Sequence, residues 1–142
     1  MKPREIFFSH ASADRVIADE ITLKLRRAGL KVWYSKTHIK GAQQWQAEIG
    51  KALQRCDWFV VMLTPAAVKS KWVERELAYA LQHDQYNKQI VPLLLKTCAY
   101  ERLHWTLGAI QMIDLRKEHK TQGIGNLLAL WLRRSTKRTR KG

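Results

Sequence analysis

Residues 57–64 (DWFVVMLT) constrain this chain more than any other stretch. The run is far shorter than the roughly 20 apolar residues that cross a bilayer. It shows no alternation of polar and apolar positions, so it predicts a strand buried on both faces, as in the middle of a parallel sheet. Four further β-prone runs flank it, at 5–8 (EIFF), 30–34 (LKVWY), 90–95 (IVPLLL) and 109–115 (AIQMIDL). Pro92 removes a ladder donor from the fourth, which makes that strand irregular or less central.

Between the strands the apolar spacing changes to that of helices. Ile17, Ile21, Leu25 and Ala28 form one stripe, with Ser12 or Asp14 as N-cap and Gly29 as the stop. Trp45, Ile49, Ala52 and Leu53 form a second over 44–55, and Val73, Leu77, Ala80 and Leu81 a third over 71–86. Ile124, Leu127, Leu128, Trp131 and Leu132 form the last. Strands alternating with helices imply right-handed crossovers, hence an α/β, flavodoxin-like fold: a five-stranded, mostly parallel sheet with helices on both faces. Ligands of such folds bind beyond the carboxyl ends of the strands, here Ser9-His10, Ser35 onward, Thr64 onward and Lys96 onward.

The hydrophobic fraction of 46% suits one folded domain rather than a disordered chain. The opening MKPREIFFSH does not read as a signal peptide. Cys56 and Cys98 fit no metal or redox spacing and read as reduced thiols of a cytoplasmic protein. The net charge of +14 draws six charges from the last ten residues and leaves +8 on the rest. Such a surface favours anionic partners. No helix-turn-helix, zinc module or stacking platform accompanies it, so nucleic acid is not the expected partner. Neither GxxxxGK[ST] nor GxGxxG occurs, which removes local support for nucleotide-phosphate loops and dinucleotide cofactors.

Four blocks carry more than pattern. Residues 6–14 (IFFSHASAD) resemble the first strand and loop of Toll/interleukin-1 receptor (TIR) domains, particularly bacterial ones. Residues 31–53 resemble their second strand, BB loop and second helix, with Gly41 and Trp45 in place. Residues 57–81 resemble the third strand followed by S-x-W-x-x-x-E-L, here Ser70, Trp72, Glu76 and Leu77. The runs 90–95 and 110–115 resemble the last two strands. The resemblance implies a TIR domain over 4–133, followed by a basic, flexible tail over 134–142.

Many TIR domains of this type cleave NAD+ at the nicotinamide–ribose bond, and some cyclise the product. The resemblance therefore implies an NAD+ glycohydrolase or cyclase of bacterial signalling or defence, with Glu76 as the catalytic residue. NAD+ would be the substrate, with no cofactor and no metal. Nicotinamide leaves as a neutral base, so the barrier lies in the ribosyl oxocarbenium ion, which one carboxylate can stabilise. Spacing alone makes Glu76 an ordinary helix carboxylate on the border of the inward stripe, with Glu74 turned about 200° away. The family motif is what singles it out.

By the same resemblance, Phe8, Ser9 and His10 border the ribose and phosphates, Trp33 stacks on a ligand ring, and Trp72 precedes the glutamate. The loop departs from the common pattern: Ser35 replaces an acid, and Lys36, Thr37, His38 and Lys40 make it basic. Lys36 and Lys40 are candidates for the diphosphate. The resemblance also implies homo-oligomers through TIR–TIR contacts, with a separately encoded partner protein as a candidate trigger. The competing reading is a non-catalytic TIR adaptor acting by association alone.

Overall fold

The structure is a computed structural model. It describes residues 2–34 and 42–141, with side chains described over 2–34 and 46–132. Lys36, Lys40 and the rest of the BB loop lie outside the described residues, as does the side chain of Trp45.

The described residues form β1 (Ile6–Ser9), α1 (Arg15–Arg27), β2 (Val32–Tyr34), α2 (Ala42–Arg55), β3 (Trp58–Leu63), α3 (Pro65–Val68), α4 (Lys71–Gln82), β4 (Ile90–Leu94), β5 (Ile113–Asp114) and α5 (Lys120–Lys141). All strand pairs are parallel, in the order β2-β1-β3-β4-β5. This is the flavodoxin-like order, which reverses direction at β1 and opens a crevice between the carboxyl ends of β1 and β3.

The apolar run is covered on both faces, as its pattern requires: Phe59 to Leu63 are fully buried. Alternation sends Phe59, Val61 and Leu63 to one side, where they pack with Phe7, Ile49 and Leu53 of α2, and Val73 and Leu77 of α4. Val60 and Met62 face the other side, with Ile6, Phe8, Ile21 and Leu25 of α1, and Leu127 and Trp131 of α5. Helix α1 stops at Gly29, whose φ of +90° is one that glycine tolerates. Its amide donates to the Arg26 carbonyl (2.9 Å), and that of Leu30 to Leu25 (3.1 Å).

Several boundaries differ from the sequence reading. Pro65 does end β3, but as the first residue of α3, capped by Thr64 Oγ accepting from the Ala67 amide at 3.0 Å. The helix expected over 71–86 ends at Gln82, and Asp84–Tyr86 form a separate 3-10 turn. The fifth strand shrinks to Ile113–Asp114, because Trp105–Ala109 coil into another 3-10 turn and pairing with β4 begins only past Pro92, at Leu93. Helix α5 runs on to Lys141, into the basic segment read as a flexible tail.

Gly123 of α5 lies close against the end of β5. A Cβ there would collide with the Asp114 carbonyl and the Leu115 side chain. Backbone cannot yield as a flexible side chain would. Gly123→Ala is therefore expected to lower stability by about 2 kcal/mol or more in urea unfolding; an unchanged midpoint would mean that α5 does not sit this close.

Candidate active site

Ser70 caps α4, its Oγ accepting from the Val73 amide at 3.2 Å. From that start, Val73, Glu76, Leu77 and Ala80 fall on the buried face, whereas Glu74 is exposed. Glu76 thus belongs to the inward stripe rather than to its border, and only 4% of it is exposed. A carboxylate on such a stripe needs a partner. Ser9, the last residue of β1, supplies one: its Oγ donates to Glu76 Oε1 at 2.6 Å. Ser9 can do so because it shares a sheet face with Phe7, two residues earlier, and that face packs on α4.

Burial pushes the Glu76 carboxyl up from its ordinary 4.5 to about 7, and the Ser9 hydrogen bond opposes that rise. No other hydrogen bond and no ion pair to Glu76 occurs among the described residues. A carboxylate in this setting is poorly solvated and strongly attracts an incoming positive charge.

The remaining predicted residues divide between the two sheet faces. Trp33, half-buried in the middle of β2, lies on the Glu76 face with its ring 5.0 Å from that of Phe7. Trp72 is half-buried one turn before Glu76 and packs on the same core, with the Arg75 guanidinium 5.5 Å from its ring. Phe8 is not brought to this face. It fills the opposite core beside α1 and is 1% exposed. His10 is buried past the end of β1, where its Nδ1 donates to the Ala11 carbonyl at 2.8 Å and its ring lies 5.8 Å from that of Tyr34. Tyr34 in turn donates to Asp19 at 2.7 Å.

Two features of the site escaped sequence reasoning. Phe7, not Phe8, is the aromatic beneath Trp33; counting alternate positions back from Ser9 would have found it. Asp14, read as a helix cap, makes no side-chain cap bond. Its buried carboxylate instead accepts from Thr64 Oγ, tying the loop after β1 to the end of β3. Both strand ends that border the crevice are thereby fixed.

A cavity of about 1120 Å³ lies elsewhere, where the short β5 leaves the start of β4 uncovered, lined by Trp58, His83, Ile110, Met112 and Leu130. Volume alone would favour it, but it contains neither Glu76 nor any other predicted site residue. No group of three or more His, Cys, Asp or Glu side chains among the described residues could hold a metal ion.

A parallel sheet with a buried acid hydrogen-bonded to the last residue of β1, where the strand order reverses, defines an α/β domain. The chain belongs to the TIR domain family, whose profile matches residues 6–128. It is 29% identical over 107 residues to a 2′ cyclic ADP-D-ribose synthase of Bacteroides thetaiotaomicron, covering 74% of this chain and 37% of the relative. It is 28% identical over 93 residues to an NAD(+) hydrolase of Paracoccus denitrificans, covering 64% and 31%. The chain thus spans about a third of the length of the curated relatives it matches. In fold, it superposes on the TIR domain of a Toll-related receptor from Hydra magnipapillata with a TM-score of 0.69, at 22% identity, over 87% of this chain and 94% of that one. The TIR domains of an activated resistosome match with a TM-score of 0.69 at 17% identity, over 87% and 96%.

The raised acid has a consequence for stability. Its folded value lies above its unfolded one, so the native state holds the proton more tightly. Its stabilising contribution is full below about 4.5 and is lost as pH rises to about 7. Between pH 5 and pH 8 the wild type is expected to lose up to roughly 3 kcal/mol relative to Glu76→Gln. Urea midpoints of the two proteins that move in parallel across this range would contradict it.

Proposed function

We propose that this TIR domain cleaves NAD+ at the nicotinamide–ribose bond, with Glu76 as the catalytic carboxylate. The observation that carries the reading is a single acid, buried at the carboxyl ends of β1 and β3, held by Ser9 and one turn after Trp72. A domain serving only as an adaptor gains nothing from burying a carboxylate there, and the burial works against its charge. The names of the two bacterial relatives, an NAD(+) hydrolase and a cyclic ADP-ribose synthase, point the same way.

In this reading the reactive ribose lies against Glu76. As the C–N bond breaks, the pyridinium takes the bonding pair and leaves as neutral nicotinamide. The ribosyl carbon becomes cationic, and Glu76 stabilises it. A poorly solvated carboxylate does this better than a solvated one, because no water shell need reorganise. Trp33 and Trp72 offer aromatic surface around the cleft, and Lys36 and Lys40 positive charge for the diphosphate. His10 has a positioning role, not that of a base. What next reaches the cation sets the product: water gives ADP-ribose, and a hydroxyl of the same molecule gives a cyclic isomer.

NAD+ is substrate in this scheme, with no further cofactor. Assembly through TIR–TIR contacts, a cytoplasmic setting and a role in bacterial signalling or defence complete the proposal. No helix among the described residues is long and apolar enough to cross a membrane.

Incubating the concentrated protein with NAD+ and identifying products by mass spectrometry tests it. Wild type is expected to release nicotinamide, and Glu76→Gln to do so at least 100-fold more slowly. NAD+ left equally intact by both, even with assembly driven by a crowding agent, would return the domain to the adaptor reading.

A further inference from the structure

Ser9 was expected to meet ligand oxygens, yet it is 1% exposed and its hydroxyl is spent on Glu76. We propose that Ser9 is a positioning residue, whose hydroxyl fixes the rotamer of Glu76 and holds its carboxylate in the charged form that the ribosyl cation needs. This deepens the NAD+ reading and rests on it for its catalytic meaning.

The geometry supports the role from both sides of the bond. Ser9 is 1% exposed, on a backbone that strand pairing holds in place. It ends a strand paired on both edges, in register with Val61 of β3, and Phe8 before it pairs with both Tyr34 and Val60. Glu76 sits on the second turn of α4, which packs on β1 and β3 and is anchored by the Ser70 cap. A hydroxyl donating to a carboxylate at 2.6 Å stabilises the charged acid more than the neutral one.

The charged groups of the surrounding elements are engaged or exposed elsewhere. Glu5, just before β1, is held by Arg55 and Lys31, and Glu48 and Lys51 of α2 pair with each other in solvent. Asp14 takes the Thr64 hydroxyl, and His10 turns its Nδ1 to Ala11. Lys69 after α3 is exposed, as are Lys71, Glu74 and Arg75 of α4 itself, with Arg75 over Trp72. Ser9 is thus the one described side chain that hydrogen-bonds the carboxylate.

The test reads Glu76 directly and needs no NAD+. In the full chain labelled with carboxyl-13C glutamate, the resonance missing from Glu76→Gln identifies the residue, and its pH midpoint is followed. Ser9→Ala is expected to raise that midpoint by about one pH unit, and Ser9→Thr, which keeps the hydroxyl, to restore most of it. If the alanine variant does not fold, Ser9→Cys replaces it; the weak thiol donor should give a smaller rise in the same direction. A midpoint unchanged in a folded variant, or a threonine variant indistinguishable from alanine, overturns the proposal. Nicotinamide release provides the catalytic arm: Ser9→Ala should fall about fivefold at pH 7 and recover toward wild type at pH 9. A midpoint that moves while no variant cleaves NAD+ at any pH supports the link between Ser9 and Glu76 and overturns the assigned reaction instead.

Discussion

The double burial of β3 organises this domain. A strand apolar on both faces needs helices on both sides, and parallel neighbours reached by crossovers supply them. Helices α2 and α4 cover one face, and α1 and α5 the other. Because the order reverses at β1, the ends of β1 and β3 part and leave room for a ligand. The packing that covers Val61 and Leu63 also carries α4, and with it Glu76, to Ser9 at the carboxyl end of β1.

Placing an acid on the buried stripe of α4 works against the core it belongs to. An apolar residue there would suit the packing better, and a single hydroxyl is a thin replacement for water. The outcome is an acid whose proton affinity lies near neutrality, beside a core on which Trp33 and Trp72 pack. Perturbed carboxyls of this kind concentrate at working sites because the same desolvation that penalises the charge strengthens its pull on a cation. The Asp14–Thr64 bond has a different effect. It ties the loop after β1 to the residue that follows β3.

Much of this was legible in the sequence, for identifiable reasons. The run 57–64 admitted one reading, and the helical stripes around Ile21, Leu53 and Leu77 could only cover a sheet. Ends were harder to read. A two-residue β5 cannot be told from a longer strand when Ala109–Ile110 and Met112–Ile113 are equally apolar, and whether the chain coils depends on tertiary pairing past Pro92. At the site, the S-x-W-x-x-x-E-L motif points to Glu76, but a stripe read from apolar residues alone excludes any acid. Such a stripe puts Glu76 on its border, whereas the fold buries it. Phe8 follows from the family resemblance alone, whereas alternation back from the polar Ser9 places Phe7, not Phe8, on the Glu76 face. Contacts between distant segments, such as Ser9 with Glu76 and Asp14 with Thr64, carry no local signature at all.

The central claim is that a desolvated Glu76 must be charged to do its work. The pH dependence of kcat/KM for nicotinamide release reports the ionisation of the free enzyme, and so tests this most directly. The account predicts a rate that climbs tenfold per pH unit on the acid side and levels off above about 7. A profile flat between pH 5 and pH 8, or one that falls across that range, would contradict it.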